Sequence, residues 1–184
     1  MEKLLIKNCY KPLFSDRIQL LKPSIEDSPF YRKALKIESV WDFISEFHIS
    51  EKYILQKIKK YTNVIDANQG MFWNIYLENE PAGILSLHNW DFDNKKAEIG
   101  YWILPKYGNK GIVSEAIQLV LSFVFSTNLL NRIEAIIYEN NIASKNLITK
   151  NNFTLEALQR EFLDVRGVYT NVYLFSILKK EWKE

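Results

Sequence analysis

The spacing of apolar residues changes several times along this 184-residue chain, and each change predicts a new element. Residues 16–23, "DRIQLLKP", predict a strand that a proline ends. Helical spacing follows, and Pro29 directly after Ser28 is typical of a helix N-terminus in which Ser28 is the N-cap. Residues 40–47 and 50–68 carry apolar side chains at helical intervals, so they predict a helical pair.

Strand signals return after Gly70, where residues 71–90 predict a hairpin with the turn "ENEPAG". Five further segments are then predicted in order: a strand over residues 96–104, an apolar helix over 112–125, a strand over 132–138, a short helix over 141–152 and two final strands over 153–182. One strand–helix–strand crossover therefore lies inside an otherwise antiparallel pattern. This order predicts a mixed sheet of the α/β class in a single domain of residues 1–184.

The composition narrows the possible functions. Apolar residues make up 47% of the chain, enough for a large core, and 24 basic against 22 acidic residues give a net charge of +2. This balance, without a long run of Lys or Arg, argues against nucleic acid as a partner. The single cysteine, Cys9, excludes an internal disulfide and a cysteine-based zinc site, and it fits a reduced, cytoplasmic setting with no metal. We expect no signal peptide and no membrane partner, because charges interrupt the apolar N-terminus and no apolar run reaches about 18 residues.

The junction between the predicted strand at 96–104 and the predicted helix at 112–125 carries candidate chemistry. Two of the six glycines, Gly108 and Gly111, lie there, with lysines beside them. A helix N-terminus exposes N–H groups and the positive end of the helix dipole, and glycine lets the backbone approach an anion closely. The alternative is a plain turn, because the pattern is neither a Walker loop nor a dinucleotide fingerprint.

Three segments carry a family resemblance in order along the chain: "EIGYWILPKYGNKGIVSEA", "LNRIEAIIYENNIASKNLITKNNF" and "EALQREF". Together they resemble the GNAT superfamily of acetyl-CoA-dependent N-acetyltransferases. Within it they are most similar to the Rim-type branch, which acetylates protein N-termini, including those of ribosomal proteins. The resemblance runs from about residue 15 to residue 182 and is firmest over residues 98–153. It implies the GNAT fold, a mostly antiparallel sheet with a central splayed parallel pair and flanking helices.

The resemblance also implies a site for acetyl-CoA between the strands at 98–104 and 132–138. The pantetheine arm would pair with the backbone of Tyr101, Trp102 and Ile103, and a backbone N–H of this strand would polarise the thioester carbonyl. The pyrophosphate would rest on the loop at 106–111, whose contributing residues are Lys106, Gly108, Asn109, Lys110 and Gly111. Asn141 would hydrogen-bond the cofactor arm; the alternative is a turn residue that follows a strand.

Two side chains would carry the chemistry by the same resemblance. Glu98 would take a proton from the attacking amine; the alternative is a rim residue that pairs with Arg132 or a lysine. Ser144, in the spacing Asn141-Ile-Ala-Ser144, would protonate the departing thiolate; the alternative is a cap for the helix that follows. His88 could face the amine, although a lone histidine is more often structural.

The chain departs from the family pattern at several positions. Asn109 and Asn152 stand where the family usually has glycine, and Gly108 stands where it has a bulky aromatic residue. Asparagine is the non-glycine residue that best tolerates left-handed backbone angles, so we expect both loops to keep their shape. Ile148 occupies the position of the tyrosine that many members use as an acid, and Asn171 stands where the Rim-type branch often has Asp.

The resemblance thus implies transfer of an acetyl group from acetyl-CoA to a primary amine in a ternary complex. The implied acceptor is the N-terminal α-amine of a protein, and the enzyme would be a monomer or homodimer. Two alternatives stay open at this point. The acceptor could be a small amine, such as a polyamine or an amino sugar of the aminoglycoside kind, or the chain could be a non-catalytic acyl-CoA-binding module.

Overall fold

The computed structural model describes residues 10–37, 50–165 and 167–183. Its strands are β1 (Leu13–Phe14), β2 (Ile18–Leu21), β3 (Met71–Leu77), β4 (Glu80–Asp91), β5 (Lys96–Ile103), β6 (Arg132–Tyr138), β7 (Thr154–Val165) and β8 (Val168–Leu178). The described helices are α1 (Ser28–Ala34), α2 (Glu51–Asp66), α3 (Ile112–Ser126) and α4 (Ile142–Lys150). Single 3-10 turns occupy Ile25–Asp27, Pro105–Tyr107 and Lys179–Glu181.

The eight strands form one mixed sheet in the order β1-β2-β3-β4-β5-β6-β8-β7. Neighbouring strands are antiparallel except β5 and β6, which are parallel and joined by the crossover through α3. The predicted mixed sheet is therefore confirmed. The two-residue strand β1 was not predicted, because two residues give no readable alternation. The helix predicted over residues 40–47 lies outside the described residues.

The start of α1 corrects one prediction. Asp27, rather than Ser28, is the N-cap, and Ser28 already has helical angles (φ −54°, ψ −35°). The reason is the preceding 3-10 turn, in which the Ser24 N–H donates to Asp27 Oδ2 at 2.7 Å. Because of this turn, α1 begins one residue earlier than the serine–proline pair predicts.

Helices α1 and α2 cover one face of β3, β4 and β5. Tyr31 of α1 donates a hydrogen bond to Asn74 Oδ1 of β3 at 2.5 Å, and Trp102 of β5 stacks on Phe30 with 5.4 Å between ring centroids. Helix α2 packs on β3. Because side chains alternate along a strand, the neighbours of Trp102 in β5 point to the opposite face.

Helix α3 covers that opposite face. Trp73 directly precedes Asn74 in β3, so its side chain points to the opposite face of the sheet. Its ring N–H donates to the Lys11 carbonyl at 3.1 Å. The Lys11 ammonium in turn lies 5.1 Å from the ring centroid of Phe123 in α3. The buried residues of α3 are Ile112, Val113, Ala116, Ile117, Val120, Leu121, Phe123, Val124 and Phe125. Each large side chain of this kind contributes about 1.5–3 kcal/mol through its removal from water, which fixes α3 firmly against the sheet.

The parallel strands β5 and β6 stay together for only three residue pairs, Lys96 with Arg132, Ala97 with Ile133 and Glu98 with Glu134. Beyond Glu98, β5 continues beside β4 as far as Ile103, and β6 continues beside β8 as far as Tyr138. The two strands therefore part and leave a wedge between them, which we call the β5–β6 wedge. The predicted splay of this pair is confirmed.

A charged cluster joins the strands at the closed end of the wedge. The Arg132 guanidinium on β6 donates to Glu134 Oε1 at 2.8 Å and makes a two-point contact with Glu156 on β7, one of whose bonds measures 2.8 Å. Ser176 on β8 donates to Glu156 Oε1 at 2.6 Å, and Lys96 on β5 lies 3.4 Å from Glu134. The hydrogen bonds from Arg132 and then Ser176 lower the pKa of Glu156 to about 2.

Replacing Glu156 with Gln tests this cluster. The pKa of Glu156 is lower in the folded protein than its ordinary value of 4.5, so its charge stabilises the fold above that value and the contribution is lost as the pH falls toward 2. We expect Glu156→Gln to lower the free energy of unfolding by about 1 kcal/mol at neutral pH, since a two-point pair with a 37% exposed carboxylate lies at the upper end for surface ion pairs. Urea unfolding should show the gap to the parent narrowing by about half near pH 3. A gap that does not change with pH would contradict this role.

Candidate active site

The loop at the open end of the β5–β6 wedge leads directly into α3. After the 3-10 turn at Pro105–Tyr107, Gly111 has left-handed angles (φ +76°, ψ 0°) and is the N-cap of α3. The first bond inside this helix runs from the Glu115 N–H to the Gly111 carbonyl at 3.0 Å. The N–H groups ahead of Glu115 therefore lie outside the helical ladder, as at any helix start, and can bind an anion.

Asparagine takes over the role of glycine at two turns. Asn109 has a φ of +58° and Asn152 a φ of +64°, so both keep the left-handed backbone that a glycine would adopt. The left-handed backbone angle expected at these two positions is thus present despite the departures from the family pattern. Gly108, by contrast, has a φ of −59°, which any residue can adopt.

Three positive side chains lie around this loop. The ammonium groups of Lys106 and Lys110 lie 4.3 Å and 5.7 Å from the ring centroid of Tyr107, which holds both cations beside the loop. Arg17 was missed by sequence reasoning: its Nη2 lies 3.8 Å from the position a Cβ would take on Gly111. The guanidinium is anchored by Glu115 in the first turn of α3. No local signal could have found Arg17, since only the fold brings it to the loop.

A β-bulge in β4 places two side chains on Glu98. His88 is the register partner of Glu98, and the next pair is Asp91 with Lys96, so an extra residue bulges out of β4. Asn89 within the bulge has a φ of +51° and donates from Nδ2 to Glu98 Oε2 at 2.9 Å. His88 Nε2 lies 3.5 Å from Glu98 Oε1. Glu98 is also the last residue of β5 that pairs with β6, so this group sits where the wedge begins.

The environment of Glu98 keeps it ionised. Burial by itself would raise the pKa of Glu98, but the hydrogen bond and charge of His88 and the hydrogen bond from Asn89 outweigh it, so the pKa lies below its ordinary value. The alternative of a rim pair with Arg132 is wrong, because the Arg132 guanidinium binds other carboxylates. Glu98 is therefore a carboxylate held beside an imidazole.

Gly100 makes room for the histidine. A Cβ on Gly100 would lie 3.0 Å from His88 Cε1 and 3.1 Å from Ser86 Oγ, so the imidazole and the hydroxyl would have to move by a few tenths of an ångström. Ser86 Oγ in turn lies 3.2 Å from His88 Nδ1. The absent side chain thus lets the ring lie over β5, with one nitrogen toward Ser86 and the other toward Glu98.

On the opposite face of β5, Tyr101 and Ser144 are in direct contact. The two hydroxyl oxygens lie 2.6 Å apart, and burial raises the pKa of Tyr101 to about 12 against the opposing effect of the Ser144 hydrogen bond. Sequence reasoning placed only the backbone of Tyr101 in the site and missed its hydroxyl. Tyr101 therefore remains a neutral phenol at physiological pH.

The start of α4 shows which of two predicted residues caps this helix. Asn141 is the N-cap, because its Oδ1 accepts the Ser144 N–H at 3.0 Å. The alternative that Ser144 caps this helix is therefore wrong, and the Ser144 hydroxyl is left to Tyr101. Asn141 was expected to bind the cofactor arm; its side-chain oxygen is engaged in the cap.

Helix α4 is fixed to α3 by a buried amide. Asn151 is fully buried; its Oδ1 accepts from Ser114 Oγ at 3.1 Å and from Gln118 Nε2 at 2.7 Å, and its Nδ2 donates to the Leu147 carbonyl at 2.8 Å. Ile148, at the tyrosine position of the family, is also fully buried and serves the core. These contacts hold Ser144 in place relative to the loop at the start of α3.

The remaining predicted residues lie in other surroundings. The Trp102 side chain packs under α1, away from Tyr101. Asn171 joins the end of β6 to β7, since it donates to Glu139 Oε2 and accepts the Glu161 N–H, both at 2.9 Å. Within residues 10–37, 50–165 and 167–183, no group of three His, Cys, Asp or Glu side chains is arranged to hold a metal ion. No helix in that part of the chain is long and apolar enough to cross a membrane.

Known proteins share this architecture. The RimL structure, described as a ribosomal L7/L12 alpha-N-protein acetyltransferase in complex with coenzyme A, aligns with a TM-score of 0.86 over 93% of this chain and 99% of RimL. The two sequences are 20% identical, so this likeness shows the fold.

Sequence relatives and a family model agree with the fold. YdaF of Bacillus subtilis (strain 168), named as a ribosomal N-acetyltransferase, is 36% identical over 102 residues, which are 55% of this chain and 56% of YdaF. The ribosomal-protein-serine acetyltransferase of Escherichia coli is 28% identical over 102 residues, which are 55% of this chain and 57% of that protein. The chain thus spans little more than half the length of these curated relatives. The model of the acetyltransferase (GNAT) domain matches residues 17–154, well over half of the chain, and the protein therefore belongs to the GNAT acetyltransferase family.

Proposed function

We propose that the protein transfers the acetyl group of acetyl-CoA to the N-terminal α-amine of a protein. The observation that carries the proposal is the β5–β6 wedge, which has an anion-binding helix start at its open end and the His88–Glu98 pair where it begins. The names of YdaF and of the Escherichia coli relative support a ribosomal protein as the acceptor.

The residues present fit acetyl-CoA. Its pyrophosphate is an anion, and the loop offers the left-handed Gly111 and Asn109, two lysines and the positive end of the α3 dipole. Its pantetheine amides need hydrogen-bond partners. Residues 99–103 of β5 are not paired with β6, so the backbone groups on that edge of β5 can bind these amides. In this arrangement Lys106, Lys110 and Arg17 would hold the phosphates.

The acceptor amine needs a base where the wedge begins. An amine nitrogen attacks the thioester carbonyl, the C–N bond forms, the C–S bond breaks and the nitrogen loses a proton. The ionised Glu98 attracts the ammonium form and takes that proton together with His88, 3.5 Å away. A protein α-amine has a pKa of about 7.7–8.0, against about 10.4 for lysine, so a weak base of this kind suffices for an N-terminus.

An acceptor panel tests the function. We expect thiol release and peptide acetylation when acetyl-CoA is mixed with peptides that carry a free N-terminus and one internal lysine. The matched control is the same peptide with a formylated N-terminus, which should give no product, because the lysine amine is too strongly protonated for this base. If only polyamines or amino sugars are acetylated, the acceptor is a small amine and the proposed protein N-terminus is wrong. Tight CoA binding with no thiol release from any amine would contradict the enzyme function.

Gly111 offers a test of the phosphate site. Val is costly at a φ of +76°, by roughly 1–2 kcal/mol, so Gly111→Val should distort the loop and weaken CoA binding about tenfold or more in calorimetry. Gly111→Asn is the matched control, since Asn109 already adopts such an angle in the same loop, and it should bind CoA within about threefold of the parent. If Gly111→Val folds and binds CoA like the parent, the loop does not bind the phosphates and its role is only structural.

The base is tested by the pH dependence of turnover. Glu98→Gln should lower kcat/KM about 100-fold near pH 6, where the α-amine is mostly protonated, and less near pH 9, with CoA affinity unchanged. His88→Gln should show the same trend if the two groups share the proton. A rate profile of Glu98→Gln parallel to that of the parent at all pH values would remove Glu98 from the reaction.

A further inference from the structure

We propose that the hydroxyl of Tyr101 acts through Ser144 as a hydrogen-bond donor to the sulfur that leaves the thioester. The inference rests on the proposed acetyl-CoA reaction and adds a positioning residue to it. Its basis is the 2.6 Å contact between the two hydroxyl oxygens, which joins β5 to α4 on either side of the β5–β6 wedge.

The position of the pair along the wedge matches the sulfur. In acetyl-CoA the order is acetyl group, sulfur, pantetheine and pyrophosphate. In the protein the order along β5 is Glu98 where the wedge begins, Tyr101 three residues on, and the loop that starts at Pro105. With the acetyl group near Glu98 and the pyrophosphate on the loop, the sulfur comes to the level of Tyr101.

The pair also lies on the correct side of the sheet. Residues 98 and 101 are an odd number of positions apart in a stretch of unbroken register with β4, so their side chains point to opposite faces. The base therefore approaches from the face covered by α1 and α2, and the Tyr101–Ser144 pair from the face of α3 and α4. A tetrahedral carbon between them can lose its thiolate on the side away from the amine.

The hydrogen-bond count leaves one donor free. The Ser144 N–H donates to Asn141 Oδ1. One hydrogen bond joins the hydroxyls of Tyr101 and Ser144, so only one of their two hydrogens is used in it. When Tyr101 donates to Ser144, the Ser144 hydroxyl keeps its own hydrogen, which can point at the sulfur. A hydroxyl whose oxygen already accepts a hydrogen bond is a stronger donor, so Tyr101 strengthens Ser144 when it donates to it.

Donation to the sulfur does not require complete proton transfer. Burial raises the pKa of Tyr101 to about 12, against about 8.5 for a thiol, so transfer from phenol to thiolate would be uphill by roughly 3.5 units. The C–S bond breaks with its two electrons on sulfur, and the Tyr101 and Ser144 hydroxyls stabilise that charge by a hydrogen bond. Solvent water then supplies the proton that makes the thiol, and the hydroxide that remains is neutralised by the proton that the amine loses. The amine proton goes to Glu98 and His88.

A purely structural tether makes a different forecast. Helix α4 is already fixed by the buried Asn151 and Ile148, so loss of one hydroxyl contact would not release it. A tether would change the stability of the fold and leave the chemistry of the sulfur unaltered.

Tyr101→Phe keeps the ring and removes the hydroxyl. We expect kcat to fall about 5–30-fold, with KM for acetyl-CoA and peptide within about twofold of the parent, because the lost bond acts only as charge forms on sulfur. The double variant Tyr101→Phe/Ser144→Ala should fall no further than Ser144→Ala, since the hydroxyls act as one unit. Tyr76→Phe is the matched control: it loses a hydroxyl bond to Asp27 outside the wedge and should leave kcat unchanged.

A second readout does not depend on turnover. Ultraviolet titration of the thiolate of bound CoA should give a thiol pKa below that of free CoA in the parent, and Tyr101→Phe should move it back toward the free value. If the parent binds CoA but kcat and this pKa are the same in parent and Tyr101→Phe, the inference is overturned while the proposed function stands. If the parent binds no CoA at all, the proposed function fails and this inference fails with it.

Discussion

The separation of β5 from β6 after three residue pairs is the constraint on which the rest of the molecule depends. Each strand keeps an antiparallel neighbour on its other edge, β4 for one and β8 for the other, so neither loses its place in the sheet when the pair parts. What the parting leaves is a row of backbone groups along each inner edge, and such groups need hydrogen-bond partners. A ligand with amides at intervals can supply them, and a side chain cannot do so along the whole row.

The other features of the site are arranged around this opening. The charged cluster around Arg132 joins β6, β7 and β8 at the closed end of the β5–β6 wedge, where it opposes further separation of the strands. Helix α3 starts at the open end and presents its N–H groups there. Helix α4, locked to α3 by Asn151, sets the distance that the hydroxyls of Tyr101 and Ser144 must bridge. The fold thus fixes both walls of the wedge independently.

Within the described residues, the sequence alone was sufficient for the order of the strands and helices from β2 onward and for the position of the loop before α3. The apolar spacing of β5, α3, β6 and α4 is local information, and glycines between lysines are visible without a fold. The His88–Glu98 pair was not predictable, because it depends on a bulge that changes which residues of β4 oppose β5. A bulge of one residue leaves no distinct trace in apolar spacing, and it reverses the face of every side chain beyond it.

Tyr101 and the cap of α4 were missed for a related reason. Asn141 and Ser144 are both good caps, and the choice is made by the turn after β6, where the Asn141 N–H bonds to the Tyr138 carbonyl at 2.9 Å. Tyr101 finds Ser144 across 43 positions of sequence, a separation that no local pattern can bridge. Arg17 likewise reaches Gly111 only because β1 and β2 pack beside α3.

The left-handed asparagines have a consequence for the unfolded chain. The protein has only six glycines, and among the described residues six asparagines adopt positive φ: Asn68, Asn79, Asn89, Asn109, Asn128 and Asn152. Glycine would adopt these angles with less strain, but it would also give the unfolded chain many more backbone conformations. Compared with glycine, each asparagine is therefore slightly more strained in the folded protein but loses less backbone entropy when its turn forms. At Asn109 the same restriction limits the shapes open to the loop before any anion arrives, so less order remains to be imposed by binding.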